Sequence, residues 1–129
     1  MPLLSRILEP RELNSSQRAL DSIEEELNRL LNSRSGLSFE EYDAYGDTAM
    51  GYGIPDFSHL HPEDSTERRL LASVVEKVIS NHEPRLLDVS VEAELLSSGM
   101  LGLLVNGRIM TESGHIKLRF RSRLLDPLL

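Results

Sequence analysis

The sequence predicts an α+β domain in which N-terminal helices pack on one face of a small antiparallel sheet in the C-terminal half. Apolar residues recur every three or four positions over residues 20–31 and 70–79, which is the period of an amphipathic helix. Over residues 87–95 and again over residues 116–121 apolar and polar residues alternate, which is the period of a half-buried strand. Because the helical segments precede the strands and do not alternate with them, we expect an antiparallel sheet of about three strands with the helices against one face.

Length and composition restrict the classes of function. The 129 residues suffice for one domain, which we predict over residues 1–129 with a mobile N-terminal segment at residues 1–13. The chain lacks cysteine, which excludes disulfides and thiolate chemistry. Its formal net charge of −7 disfavours nucleic-acid binding, which needs a concentrated basic surface. No apolar run approaches the roughly 20 residues of a membrane span, so we expect a soluble cytoplasmic protein without direct membrane insertion.

The N-terminal segment contains a small apolar cluster with helical spacing, which Pro10 ends. An isolated helix this short is marginal in water, so the cluster has to dock. It docks either on its own domain or on a partner protein, where it would order on binding. The cluster, which we include among the candidate partner contacts, consists of Leu3, Leu4, Ile7 and Leu8.

Two long helices follow. The first is predicted to begin at Asn14-Ser15-Ser16, which are N-cap residue types, and to end at Ser35-Gly36. The second opens at Asp64 with Glu67 three residues later, a capping-box arrangement, and runs to about Ser80. The predicted apolar face of the first helix is Leu20, Ile23, Leu27, Leu30 and Leu31. That of the second is Leu70, Leu71, Val74, Val75, Val78 and Ile79.

The stretch from Leu37 to Glu63 is predicted to be irregular. A loop this long in a compact domain is usually functional or held in place by its own side chains. Its most ordered part is Tyr52–Phe57, where apolar anchors surround a glycine and a proline that set a turn. The glycines of the loop do not match a phosphate-binding loop, because no Lys-Ser or Lys-Thr pair follows them and the loop is acidic.

Three strands are predicted after Pro84. The first carries apolar residues at the odd positions from Leu87 to Leu95 and polar or acidic residues between them. The second, from about Leu101 to Met110, is apolar at so many positions that both of its faces are expected to be covered. The third alternates apolar residues with a row of basic residues on the face away from the helices. This basic row consists of Lys117, Arg119, Arg121 and Arg123.

The basic row has two interpretations. The first is pairing within the molecule, because the outward positions of the first strand carry Asp88, Glu92 and Glu94. The second is a charged surface offered to another protein, with addition of a partner strand at the sheet edge. The sequence favours neither of them.

Catalysis and metal binding find little support in the sequence. A glycoside hydrolase needs two carboxyl groups at a defined separation, one of them in an apolar setting. Glu83 is one candidate, but no second carboxylate is specified by spacing. His59, His61 and Asp64 could offer metal ligands, although no second half with metal-site spacing exists. We therefore predict no catalytic residue, no metal and no cofactor.

The junction between the last helix and the first strand is the sharpest feature of the chain. Pro84 cannot continue a helix and pushes Glu83 into an extended conformation. Glu83 and Arg85 therefore place opposite charges at a rigid corner between helix and sheet.

Three short stretches resemble one known family. Glu83-Pro84-Arg85-Leu86 resembles the Glu-Pro-Arg motif of the baseplate wedge proteins of contractile tails, a family once labelled lysozyme-related, whose bacterial members are the TssE subunits of the type VI secretion system. Residues 31–36 look like the family's Leu-Asn-Thr-Arg-x-Gly helix end, with Ser33 in place of the usual threonine. Residues 52–57 are similar to its Tyr-Gly-Leu-Pro-Asp turn, after a longer acidic insert.

The resemblance implies a non-enzymatic structural adaptor. Such a protein joins the baseplate wedge core, made of TssF and TssG proteins, to the first ring of the contractile sheath, made of TssB and TssC proteins, and starts sheath assembly. It implies that Glu83, Pro84 and Arg85 contact the wedge core. That the basic row faces the sheath is our own hypothesis. The alternative function is a small peptidoglycan-cleaving, lysozyme-like enzyme.

Overall fold

The structure is a computed structural model that describes residues 10–124, and the side chains of residues 15–124. Over this range the chain forms helices α1 (Pro10–Leu31) and α2 (Phe39–Tyr45), a 3-10 turn (Ala49–Gly51), helix α3 (Ser65–His82) and strands β1 (Leu87–Leu95), β2 (Leu101–Thr111) and β3 (Gly114–Leu124). The strands pair antiparallel in the order β1-β2-β3. The predicted α+β class is confirmed. The apolar cluster Leu3, Leu4, Ile7 and Leu8 lies outside the described residues and stays a prediction.

Helix α1 differs from the prediction at both ends. It begins at Pro10 and not at Asn14, because a proline fits the first turn of a helix, where its missing N–H would have no partner in any case. It ends at Leu31 and not at Ser35-Gly36, because Arg34 forms a parallel bridge with Ile54. Its predicted apolar face is confirmed, since all five residues are buried.

Helix α3 begins after Asp64 as predicted, but the second half of the predicted capping box is wrong, because the Glu67 carboxylate accepts from the His61 N–H at 2.6 Å and not from the Asp64 N–H. The Asp64 carboxylate accepts hydrogen bonds from the N–H groups of Thr66 and Glu67, at 2.8 and 3.3 Å, and so caps the helix. The helix continues to His82, slightly beyond the predicted end. The assignment of Leu70 to the buried apolar face is wrong, because this residue is 48% exposed.

Helix α2 lies inside the stretch that was predicted to be irregular. A capping box begins it, in which the Ser38 hydroxyl accepts from the Glu41 N–H at 3.0 Å and the Glu41 carboxylate accepts from the Ser38 N–H at 2.9 Å. The helix is short and buries only Tyr42, with Phe39 partly buried against the core, so it shows no hydrophobic period. The Ser-x-x-Glu pattern was the available signal.

The central strand β2 is buried on its helix-facing side, and its other side is covered only in its first half, since Met110 near its end is 64% exposed. On the helix side, Leu103, Val105 and Ile109 belong to the core. On the other side, Leu104 lies between Glu92 of β1 and Arg121 of β3. The alternation of β1 holds in its middle, but Leu87 and Leu95 at its ends are exposed.

Candidate partner-binding surfaces

The corner between α3 and β1 is built around the Glu83 carboxylate. The Glu83 N–H donates to the Ile79 carbonyl at 2.7 Å, which closes the helix. Its carboxylate then accepts three hydrogen bonds from Arg85, one from the backbone N–H at 3.1 Å and two from Nε and Nη2 at 2.9 and 2.8 Å. The predicted opposite charges at this corner therefore form a two-pronged ion pair.

The two partners of this ion pair differ in exposure. The Glu83 side chain is 3% exposed, whereas the Arg85 side chain is 49% exposed. The hydrogen bonding that the Arg85 guanidinium donates to the Glu83 carboxylate raises the pKa of Arg85 above its ordinary value, so the guanidinium is charged at any physiological pH. The corner therefore hides the carboxylate and presents the guanidinium to solvent.

Arg85 also connects the corner to α1. Its Nη1 donates to the Ser22 hydroxyl at 3.0 Å. One turn further along α1, the Tyr52 hydroxyl donates to Glu26 Oε1 at 2.8 Å, and Arg29 Nε donates to Glu26 Oε2 at 3.1 Å. The hydrogen bond from Arg29 is the largest of the causes that lower the pKa of Glu26. The corner and the neighbouring side of α1 thus form one network of charged groups.

The other two stretches that carry the resemblance meet at the same corner. The Ile54 N–H donates to the Ser33 carbonyl at 2.9 Å, and the Ser35 N–H donates to the Ile54 carbonyl at 3.1 Å. These bonds hold the turn at residues 52–57 against the end of α1. The Tyr52 ring in turn packs edge-on against the ring of His82, with centroids 5.7 Å apart.

The predicted loop at residues 37–63 is fixed to the end of α3. Asn81 Nδ2 donates to the Tyr42 hydroxyl at 3.1 Å, and His82 Nε2 lies 2.8 Å from the Gly46 carbonyl oxygen. The loop is therefore held in place by its own side chains, which is one of the two explanations that the sequence offers for a loop of this length.

The basic row lies on the face of the sheet away from the helices. Lys117, Arg119, Arg121 and Arg123 are all exposed. Strand β2 separates them from Glu92 and Glu94 on β1. Within residues 15–124 none of the four forms an ion pair, whereas Arg108 on the central strand does pair with Asp88. Pairing within the molecule, the first interpretation of the row, is thus not what the structure shows.

The two edges of the sheet are not equivalent. At the β1 edge, the Val91 N–H donates to Glu76 Oε1 on α3 at 2.9 Å, so a helix side chain occupies a backbone donor that a partner strand would need. Across the described residues, β2 is the one strand that pairs with β3. Among residues 10–124, the β3 edge, whose strand carries the basic row, is therefore not paired with another strand.

The histidines do not converge. The His59 ring packs edge-on against Phe39, and His61 Nδ1 lies 3.1 Å from Glu67 Oε2. In the part of the chain with described side chains, no three residues of the metal-ligating types are grouped so that they could hold a metal ion. None of the helices described is both long and apolar enough to span a membrane.

Comparison with known proteins identifies the class of protein to which the chain belongs. A chain of the baseplate complex from the type VI secretion system has a similar fold, with a TM-score of 0.61 and 16% identity over 87% of this chain and 98% of that chain. The family model of baseplate wedge protein gp25 matches residues 17–113. The chain belongs to this family of structural baseplate components. No curated protein matches it significantly.

Proposed function

We propose that the protein is a non-enzymatic adaptor of a type VI secretion baseplate in the cytoplasm, which links the wedge core to the first ring of the contractile sheath and starts sheath assembly. Family membership supports the baseplate role, and the similarity to a chain of a type VI baseplate complex supports the choice of assembly. The observation that carries the proposal is the separation of two charged surfaces. The corner is tied to α1, in the helical layer, while the basic row lies on the opposite face of the sheet.

The corner is the surface for the wedge core, which consists of TssF-type and TssG-type proteins. Half of the Arg85 side chain is exposed, and Glu83 and Ser22 hold it in one orientation. A side chain that is ordered before binding loses less conformational entropy on binding. Pro84 is exposed beside it and fixes the direction of the backbone.

The basic row and the β3 edge are the surface for the sheath, which consists of TssB-type and TssC-type proteins. An open strand edge offers backbone hydrogen bonds to a partner strand, and alternating charges beside it select the register and the partner. A second copy of this strand would bring arginines opposite arginines, which disfavours pairing of β3 with itself. The row therefore suits a partner segment that carries acidic residues at alternate positions.

Reversal of two charges in the row tests the sheath surface. We expect Arg119→Glu with Arg121→Glu to weaken association with the sheath proteins at least tenfold while binding to the wedge core survives. Both side chains are exposed, so the free energy of unfolding should change by about 0.5 kcal/mol or less. Co-purification with each partner and a thermal melt measure these effects.

A matched control carries the same change of charge on the helical layer. Arg69→Glu with Lys77→Glu alters two exposed cations of α3 and should leave sheath association unchanged. Equal loss in both double variants would show a general charge effect, and unchanged association in the β3 variant would contradict a sheath-facing basic row.

The muralytic alternative has a specific obstacle. Both oxygens of the Glu83 carboxylate are engaged by Arg85, and the side chain is 3% exposed, so the group is not placed to protonate a substrate. We expect purified protein and its Glu83→Gln variant to leave a peptidoglycan suspension equally turbid. Clearing by the first and not by the second would support the enzyme and oppose the adaptor.

A further inference from the structure

We propose that the surface for the sheath extends from the basic row onto the central strand β2, where it receives an acidic segment of a sheath protein. Two residues of β2 and one half of the basic row form a single cationic block on the outer face of the sheet, which is the face away from the helices. The cationic block consists of Asn106, Arg108, Lys117 and Arg119. This inference rests on the proposed function of the basic row and adds two residues of β2 that determine its specificity.

The strand register brings the four side chains of the block together. Arg108 lies directly opposite Lys117, and Asn106 lies directly opposite Arg119. Side chains in directly opposite positions are about 5 Å apart, and residues two positions apart along a strand share a face at a spacing of about 7 Å. The block is therefore a compact rectangle. Its β3 residues are exposed and its β2 residues are partly exposed.

The two halves of the outer face differ in charge. In one half, each arginine of β3 has a glutamate of β1 at the same level across β2, so that positive and negative charges balance. These pairs are Glu92 with Arg121 and Glu94 with Arg123. In the half that holds the block, the strands contribute three cations and one carboxylate, that of Asp88. The excess of positive charge on the strands is thus confined to the block.

The block departs from the usual arrangement of charges in a sheet. Arg108 and Lys117 are like charges in directly opposite positions, which destabilises a sheet. Asp88 reduces this repulsion through its ion pair with Arg108. It does so from an irregularity between Leu87 and Ser90, with a φ of +51°, and such bulges re-aim a side chain. A cluster of cations that is unfavourable for folding indicates a use in binding.

Three side chains of the block have donors to spare for a ligand. Within residues 15–124, the side chains of Asn106, Lys117 and Arg119 form no ion pair or hydrogen bond with another residue. The Arg119 guanidinium suits two-pronged recognition of a carboxylate, and the neighbouring amide and ammonium groups can donate to the same group. A groove of about 590 Å³ lies over the block, so the side chains of a partner have room to reach these donors.

The size and surroundings of the block select an acidic protein segment. The block extends over about 7 Å along each strand, which fits one or two carboxylates. A nucleic acid carries continuous negative charge, so its backbone would continue past the block towards Glu92 and Glu94 and be repelled. A segment with carboxylates against the block and mixed charges beyond it complements the whole outer face. Since the block is continuous with the basic row, a sheath protein is the partner that supplies this segment.

The test measures association of the purified sheath proteins with two variants of β2. We expect Arg108→Gln to weaken this association about tenfold and to reduce its dependence on salt concentration, while wedge-core binding stays unchanged. The thermal midpoint should stay within a few degrees, because the side chains of Arg108 and Asp88 are 41% and 65% exposed. Arg108→Lys keeps the charge and should recover most of the association.

Asn106→Asp tests the block without breaking an ion pair. The new carboxylate has nearly the same shape as the amide and would repel an acidic segment, so association should again fall about tenfold. The matched control for both variants is Arg69→Gln, which changes the net charge by the same amount at an exposed arginine of α3. It should associate with the sheath proteins as the wild type does.

The outcomes separate this inference from the proposed function. Wild-type association by both β2 variants, together with loss in the double variant of Arg119 and Arg121, would overturn the block and leave the basic row as the surface for the sheath. Wild-type association by all three would overturn the basic row as well. Equal loss in the Arg69→Gln control would overturn the block as a local site. Binding of a DNA oligonucleotide at physiological salt that depends on Arg108 would overturn the acidic protein segment.

Discussion

Arg85→Ala is expected to lower the free energy of unfolding by about 3 kcal/mol and to abolish binding to the wedge core. Of the donors among residues 15–124, the substitution leaves the buried Glu83 carboxylate only the backbone N–H of residue 85, and a buried charge without its partner is strongly destabilising. For a domain of this size the thermal midpoint should fall by about 10 °C. A thermal melt and a wedge-core binding assay measure both effects.

A double variant separates the two roles of the corner. Glu83→Met with Arg85→Met removes both charges, and replacing a buried ion pair by apolar residues of similar volume is often neutral for stability. We therefore expect most of the lost stability to return while wedge-core binding stays absent. If binding returns together with stability, the corner serves only as a structural clamp and the partner surface lies elsewhere.

Gly53→Ala is expected to destabilise the protein by about 3 kcal/mol, because it combines backbone strain with a steric clash. Gly53 has a φ of +101°, and an added Cβ would lie 2.7 Å from the carbonyl carbon and oxygen of Ser33. The turn at residues 52–57 would have to move away from the end of α1. Since Tyr52 precedes this glycine and contacts Glu26 and His82, wedge-core binding should weaken as well.

Gly36→Ala is the matched control for this prediction. Gly36 also has a positive φ, of +77°, but an added Cβ would meet nothing within 4 Å. Its cost should be backbone strain alone, about 1 kcal/mol. Equal melting temperatures for the two variants would contradict the close approach between the turn and the end of α1.

The fold was predictable wherever the hydrophobic pattern continues over many residues. Helices α1 and α3 and strand β3 bury enough apolar residues to impose a period of 3.6 or 2 on the sequence, and β2 is apolar along most of its length. Helix α2 does not, because it buries only Tyr42 and is held by the Ser38–Glu41 capping box. The C-terminal end of α1 was wrong for a related reason: the bridge between Arg34 and Ile54 is a long-range contact that local cap residues do not reveal.

The candidate sites were predictable in part. Glu83 and Arg85 are two residues apart around a proline, so their pairing follows from local geometry. The contact of Arg85 with Ser22 spans 63 positions, and no spacing rule links residues so far apart. The same holds for the hydrogen bond from the Val91 N–H at the β1 edge to Glu76 on α3, which are 15 positions apart. Only the folded arrangement shows that the three stretches meet beside α1.

The central claim is that one chain binds the wedge core and the sheath at the same time, through separate surfaces. The most direct measurement mixes the wedge core proteins, the sheath proteins and this chain, and determines the mass of the assembly by size-exclusion chromatography with light scattering. The account predicts a complex with all three components that forms only when the chain is present. Mutually exclusive binding, in which the sheath proteins displace the wedge core from the chain, would contradict it.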